Sequence, residues 1–135
     1  MLIFVELYIN KNPNPSSSMI HKTIVFPQLG NLSVDYSVGR NAADNFDILD
    51  QAKDHHLWFH VEGQSSCHVI AAIPEDVDRK NVRYLVKQGA ILCKQYTTSV
   101  RAQSKITIIY ARVSDVEKTD IVGSVVVTNG KTVII

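Results

Sequence analysis

The residues of this chain best suited to chemistry fall between Leu57 and Val69, reading LWFHVEGQSSCHV. That stretch holds the single tryptophan, Trp58, and two of the five histidines, His60 and His68, with Ser65, Ser66 and Cys67 beside them. Histidine is the side chain whose ordinary titration range lies closest to neutral pH, so a facing pair could serve a general base, a metal ion or a phosphate. The enzymatic readings are short of parts. A catalytic zinc takes three protein ligands, and only two histidines converge. A serine or cysteine nucleophile needs a base whose orientation is fixed by a third group, and Glu62 in the intervening loop is the one candidate. Cys67 and Cys93 are too few for a disulfide framework or a structural zinc site. The expectation is therefore no catalytic residue, no metal and no cofactor, with a small hydrolase or metal-dependent enzyme the last of the readings considered.

Two strands must position these side chains. Leu57–Val61 and Cys67–Ala72 read as strands, and Glu62–Ser66, with Gly63 inside it, as the loop of a hairpin. Side chains alternate along a strand, so Leu57, Phe59 and Val61 share one face while Trp58 and His60 share the other. A register symmetric about the loop sets His60 opposite His68, with Cβ atoms roughly 5 Å apart. Phe59 and Val69 then belong to a core, and Trp58, His60 and His68 form the expected functional face. Trp58 has two readings here: a platform on which a base stacks, or a ring packed under a helix. The histidines likewise either donate to phosphates and 2′-hydroxyls or bond backbone carbonyls.

Upstream, Gly39-Arg40-Asn41 sits at the junction of a strand and a helix. Asn41 is a suitable N-cap, and Asp44 favours the positive end of the helix dipole. The helix is expected to run to about Lys53, with Ala42, Phe46, Leu49 and Ala52 as its apolar stripe. Asp44, Asp47, Gln51 and Asp54 make a solvated acidic side without metal-ligand spacing. A glycine, an arginine and a helix N-terminus together could hold a phosphate; the plainer reading is a turn with a capping Asn and a surface Arg. Neither the dinucleotide fingerprint nor a P-loop is present.

Downstream, Ile73–Asp78 leads into a second helix, capped by Asp76 or Asp78 and expected to reach about Tyr96. Gly89 inside it costs roughly 1 kcal/mol against alanine and is expected to end or bend it. Val82, Leu85, Val86, Leu92 and Cys93 fall on one side. Lys80, Arg83, Lys87 and Lys94 fall within an arc of roughly 60° on the other. Charge follows this division. Residues 1–78 carry 4 Lys/Arg against 10 Asp/Glu, and residues 79–118 carry 9 Lys/Arg against 2 Asp/Glu, although the net charge of the chain is only +1. The basic stripe reads either as a solvated cationic face or as a surface for phosphates.

The remaining chain supplies strands. Thr23–Phe26 and Leu32–Val38 form an opening hairpin, and Lys105–Arg112 is rich in β-branched residues. Val125–Thr128 and Lys131–Ile135 are expected to pair antiparallel about Asn129-Gly130. Asn10–Ser18 is a Pro/Asn/Ser linker. Met1–Ile9 is apolar but short, without a basic flank or a cleavage site, which speaks against a signal peptide or a membrane span. At 135 residues a single domain with its own core is expected. The class is α+β, a mainly antiparallel sheet with two principal helices. Residues 1–22 form an N-terminal strand and flexible linker, and 23–135 the domain proper.

Three motifs stand in order: Gly39-Arg40-Asn41-Ala42-Ala43-Asp44-Asn45, then Leu57-Trp58-Phe59-His60-Val61, then Ser66-Cys67-His68-Val69. In this order and spacing they resemble the NFACT-R domain family, whose pattern is roughly GRNxxxN, D-x-WFH and GSHV. The resemblance runs from about Thr23 to the C-terminus. His56 stands where the family commonly has an acidic residue, and Ser66-Cys67 replaces the Gly-Ser pair. It implies a non-enzymatic, cytoplasmic RNA-binding domain, closest to small standalone members, with tRNA or ribosomal RNA as partner and a setting in translation or ribosome-associated quality control. Arg40, Asn41, Asn45, Trp58, His60, His68, Lys80, Arg83, Lys87 and Lys94 are the expected contacts. The alternative is an adaptor that presents the basic helix to ribosome-associated or other acidic proteins, with no membrane involved in either case.

Overall fold

A computed structural model of the protein describes residues 3–5 and 19–135; most of the N-terminal strand and the linker expected over Asn10–Ser18 lie outside the described residues. The elements in order are β1 (Ile3–Val5), β2 (Ile20–Phe26), β3 (Leu32–Gly39), α1 (Ala42–Gln51), β4 (Leu57–Val61), β5 (His68–Ala71), α2 (Arg79–Gln95), β6 (Thr107–Arg112), β7 (Val116–Lys118), β8 (Val125–Val127) and β9 (Lys131–Ile134). Six strands form one antiparallel sheet in the order β2-β3-β5-β4-β6-β9, and β1-β8-β7 form a second. This is the α+β architecture expected from the sequence, with two helices.

Local chemistry accounts for most of these elements. Pro27–Leu29 forms a 3₁₀ turn, and Gly30 and Asn31 follow in the left-handed region with φ of 68° and 62°. That reversal sets Phe26 against Leu32 and carries the pairing back to Ile20 against Val38. Asn41 caps α1 as expected, its side-chain oxygen accepting from the Asp44 amide at 2.8 Å. Asp78 caps α2 through the Lys80 amide, and Tyr96 is the residue that closes that helix.

The large sheet is covered on both faces. On one, Val34, Tyr36, Val38, Phe59, Val61, Val69 and Ile108 pack with Leu85, Leu92 and Cys93 of α2. The Tyr36 hydroxyl donates to the Leu85 carbonyl at 2.9 Å and ties the helix to the sheet. On the other face, Trp58, Ile70, Ile109 and Ala111 pack with Ile48 and Leu49 of α1 and with Val116, Val125 and Val127 of the small sheet. β4 lies between these two layers, and all five of its residues are buried.

Three expectations change. Gly89 neither ends nor bends α2, which runs unbroken over 17 residues; it is there because an added Cβ would meet the Phe59 ring. The two C-terminal strands do not pair. β8 joins the small sheet and β9 pairs with β6 in the large one, so Asn129, at φ 53°, turns the chain from one sheet to the other. In α1 the buried side is Asp44, Asn45, Ile48 and Leu49. Asp44 therefore leaves the acidic surface and accepts from Asn41 Nδ2 at 2.9 Å.

Candidate nucleic-acid interface

The β4–β5 hairpin has the register expected of it: Leu57 faces Ala71, Trp58 faces Ile70 and Phe59 faces Val69. The same register brings His60 to His68, with ring centroids 5.1 Å apart and nearly perpendicular. Trp58 stacks on His60 at 5.8 Å and meets His68 edge-on at 5.3 Å. The cluster is assembled as the alternation requires, but it is not a surface. Trp58 and His68 are 0% exposed and His60 2%. α1 and the small sheet close over them, so no base can stack on Trp58 and no phosphate can reach either histidine while the domain is folded.

These side chains do structural work. Trp58 Nε1 donates to His68 Nδ1 at 3.1 Å. Asn45, fully buried on α1, accepts from the His68 amide at 3.3 Å. Gly39 leaves the space this needs, since an added Cβ would strike the Asn45 side chain and lie 3.0 Å from its backbone nitrogen. Asn41 is likewise buried as the cap of α1. Asn41, Asn45, Trp58, His60 and His68 are thus withdrawn from the expected contact set, because each is buried in the folded domain. Both nitrogens of His60, Nε2 of His68 and Nδ2 of Asn45 find no hydrogen-bond partner among the described protein groups. Burial lowers the His60 pKa to about 4. Burial, with the neighbouring His60 second, holds His68 well below its ordinary value.

The expected cations are in the open. Lys80, Arg83 and Lys87 are exposed on the outward side of α2, and Lys94 is half-buried near its end. Lys80 lies 3.9 Å from Asp78 at the N-terminus, and Arg83 stacks over Tyr84 at 4.8 Å. The acidic side of α1 and the basic side of α2 lie on opposite sides of the large sheet. Asp47 and Asp50 are exposed on α1, on the face of the sheet opposite α2. Asp50 there takes Lys118 as its partner at 2.5 Å.

Arg40 does not join that row. Its exposed side chain reaches the ring of Tyr96, 5.9 Å from the centroid, and Lys22 of β2 reaches the same ring at 5.5 Å. Sequence reasoning did not connect Lys22 or Tyr96 with Arg40. An aromatic residue at the end of a basic helix was the available signal; nothing in the spacing connects it to Lys22, 74 positions away. Beneath them, Cys67 and Cys93 are buried free thiols with sulfurs 4.0 Å apart. Hydrogen bonding from Cys93 holds the Cys67 thiol low, and burial pushes the Cys93 thiol up.

Among the described residues no group of three or more His, Cys, Asp or Glu is placed to hold a metal ion, and no helix is long and apolar enough to cross a membrane. A comparison with curated proteins gives no match. Among solved structures, the C-terminal region of the fibronectin/fibrinogen-binding protein from Streptococcus suis is similar, with a TM-score of 0.67 at 20% identity. The similarity covers 76% of this chain and 41% of that one, and it concerns the fold alone. A family model described as the NFACT protein RNA binding domain matches residues 22–134, most of the chain, and the chain belongs to that family.

Proposed function

We propose that this domain binds RNA without catalysing a reaction, and that the outward face of α2 is a principal contact surface. The observation that carries the reading is the exposure of Lys80, Arg83 and Lys87 along one helix, across the sheet from the acidic α1. Phosphates dominate the affinity of nucleic-acid complexes, and cations arrayed on a rigid element meet them without much loss of order. Membership in a family of RNA-binding domains favours RNA over another polyanion. A tRNA or a ribosomal RNA is the partner this reading names, in a cytoplasmic setting tied to translation or ribosome-associated quality control.

The test is a titration of the chain with labelled tRNA and with a single-stranded RNA at two salt concentrations, beside the double variant Arg83→Glu/Lys87→Glu. Micromolar or tighter binding is expected, weakened by salt and by the double variant. The salt slope of the variant should be shallower by about 0.7 for each single-strand phosphate that no longer meets a cation. A folded chain that binds neither RNA at low salt overturns the reading. Recovery of a protein partner in a nuclease-resistant pull-down would then point to the adaptor alternative.

A further inference from the structure

Tyr96 ends α2 with its ring half-buried against the core on that side of the sheet. Two cations converge on it from distant parts of the chain, Lys22 from β2 and Arg40 from the β3–α1 turn. Neither forms an ion pair with a described residue. The ion pairs among the described residues are Lys80 with Asp78 and Lys118 with Asp50. Both cations lie over the face of the same aromatic ring, an electron-rich surface that attracts them. This cluster is separate from the row on the outward side of α2. At roughly 100° per residue Tyr96 falls on the side of the helix opposite Lys80, Arg83, Lys87 and Lys94.

We propose that Lys22, Arg40 and Tyr96 form a receptor for one unpaired nucleotide of an RNA strand. The base stacks on Tyr96, and Lys22 and Arg40 take the flanking phosphates. The inference rests on the RNA-binding reading above and adds to it a place and a preference for single strands. The exchange is favourable on physical grounds. A phosphate offers each cation a full negative charge, and offers Arg40 two parallel hydrogen bonds. As the cations move to phosphates they uncover the ring, and a base supplies the flat surface that replaces them. A duplex presents phosphates but keeps its bases stacked inside. An acidic peptide presents carboxylates but no flat ring. An unpaired nucleotide satisfies all three side chains at once.

The experiment is an anisotropy titration of the full chain with three probes: a short labelled single-stranded RNA, the same strand in a blunt duplex, and the same strand with its central bases removed to leave abasic sites. The parent, Tyr96→Phe, Tyr96→Leu and Arg40→Gln are compared. The parent should bind the intact strand about tenfold more tightly than the abasic one, the size of one base–aromatic stack, and should prefer it to the duplex. Tyr96→Phe should keep that preference. Tyr96→Leu should bind intact and abasic strands alike. Arg40→Gln should weaken both strands and make the salt dependence shallower by about 0.7.

If the parent binds intact and abasic strands equally, the receptor is overturned while RNA binding through α2 stands. That comparison decides the matter even where Tyr96→Leu fails to fold. Absence of binding to all three probes overturns both readings. Binding of polyglutamate as tight as that of the intact strand, and abolished in Arg40→Gln, would assign the two cations to an acidic protein and overturn the nucleotide.

Discussion

Trp58 Nε1 donates to His68 Nδ1 at 3.1 Å in the layer between the large sheet and α1. An indole nitrogen is a donor only, so His68 Nδ1 is the bare nitrogen and the ring proton sits on Nε2. The bond therefore selects a neutral His68. His60, stacked on the other ring of the cluster, is enclosed as fully. The histidines of the family motifs act here as uncharged packing groups, and His68 is held by one directed hydrogen bond from Trp58.

That neutrality makes stability depend on pH. His60 titrates at about 4 in the folded chain against an ordinary 6.5, with burial as the main cause. His68 is lowered in the same direction. The unfolded chain therefore binds more protons than the folded one once pH falls below 6.5. Stability is present in full above that value and is lost as pH falls toward 4, at about 1.4 kcal/mol per pH unit for each histidine. Urea midpoints measured from pH 7.5 down to about 4.5 should show this slope. His60→Leu should flatten it by one proton's share. A flat profile for the parent would mean that the two rings are charged or reach water.

The helix row and the caps were legible in the sequence because each is a local matter. Asn41 and the Asp44 amide it bonds are three positions apart, and the spacing of Lys80, Arg83 and Lys87 follows from helical period alone. The register of the hairpin was legible too, since loop length fixes it. What the alternation of LWFHV left undecided is whether its second face is covered. The cover comes from Ile48 and Leu49 of α1 and from Val116, Val125 and Val127, whose arrival depends on the whole topology. Asn129-Gly130 misled for a related reason. The pair suits a tight turn, but strand partners are chosen by the sheets, and β8 and β9 belong to different ones. The pairing of Tyr96 with Lys22 and Arg40 is likewise a product of tertiary structure.

Gly89 faces the Phe59 ring so closely that an added Cβ would lie 2.8 Å from Cε2 and nearer still to Cζ and Cε1. Alanine is the better helix former by about 1 kcal/mol, so an open site would gain from Gly89→Ala. Here overpacking against a fully buried ring costs about 1–3 kcal/mol or more, and Gly89→Ala should destabilise the chain on balance. Phe59→Leu in the Gly89→Ala background should cost less than Phe59→Leu alone, a coupling that a double-mutant cycle in urea reads directly. Additive effects would show that ring and helix do not touch.

Gly39 and Asn45 should be coupled in the same way. Gly39→Ala pushes against the Asn45 side chain and backbone, and Asn45→Ala removes the acceptor of the His68 amide. Each is expected to cost about 1–3 kcal/mol. The double variant should cost less than their sum, because removing the Asn45 side chain opens part of the space the new methyl needs. The backbone nitrogen of Asn45 remains 3.0 Å from that methyl, so relief is partial. Equal costs for Gly39→Ala in both backgrounds would place the strain in the backbone alone.

Trp58→Phe separates the structural role of the cluster from RNA contact. Phenylalanine fills most of the site but cannot donate to His68 Nδ1, which is left without the partner it has at 3.1 Å. A buried acceptor without a donor costs about 1–3 kcal/mol, and the smaller ring volume adds to it. The urea midpoint should fall accordingly. Affinity for RNA, measured well below that midpoint, should match the parent, since Trp58 is 0% exposed and no probe reaches it. A Trp58→Phe chain that keeps its stability but loses RNA affinity would return the tryptophan to the binding surface and would require α1 and the small sheet to open when RNA binds.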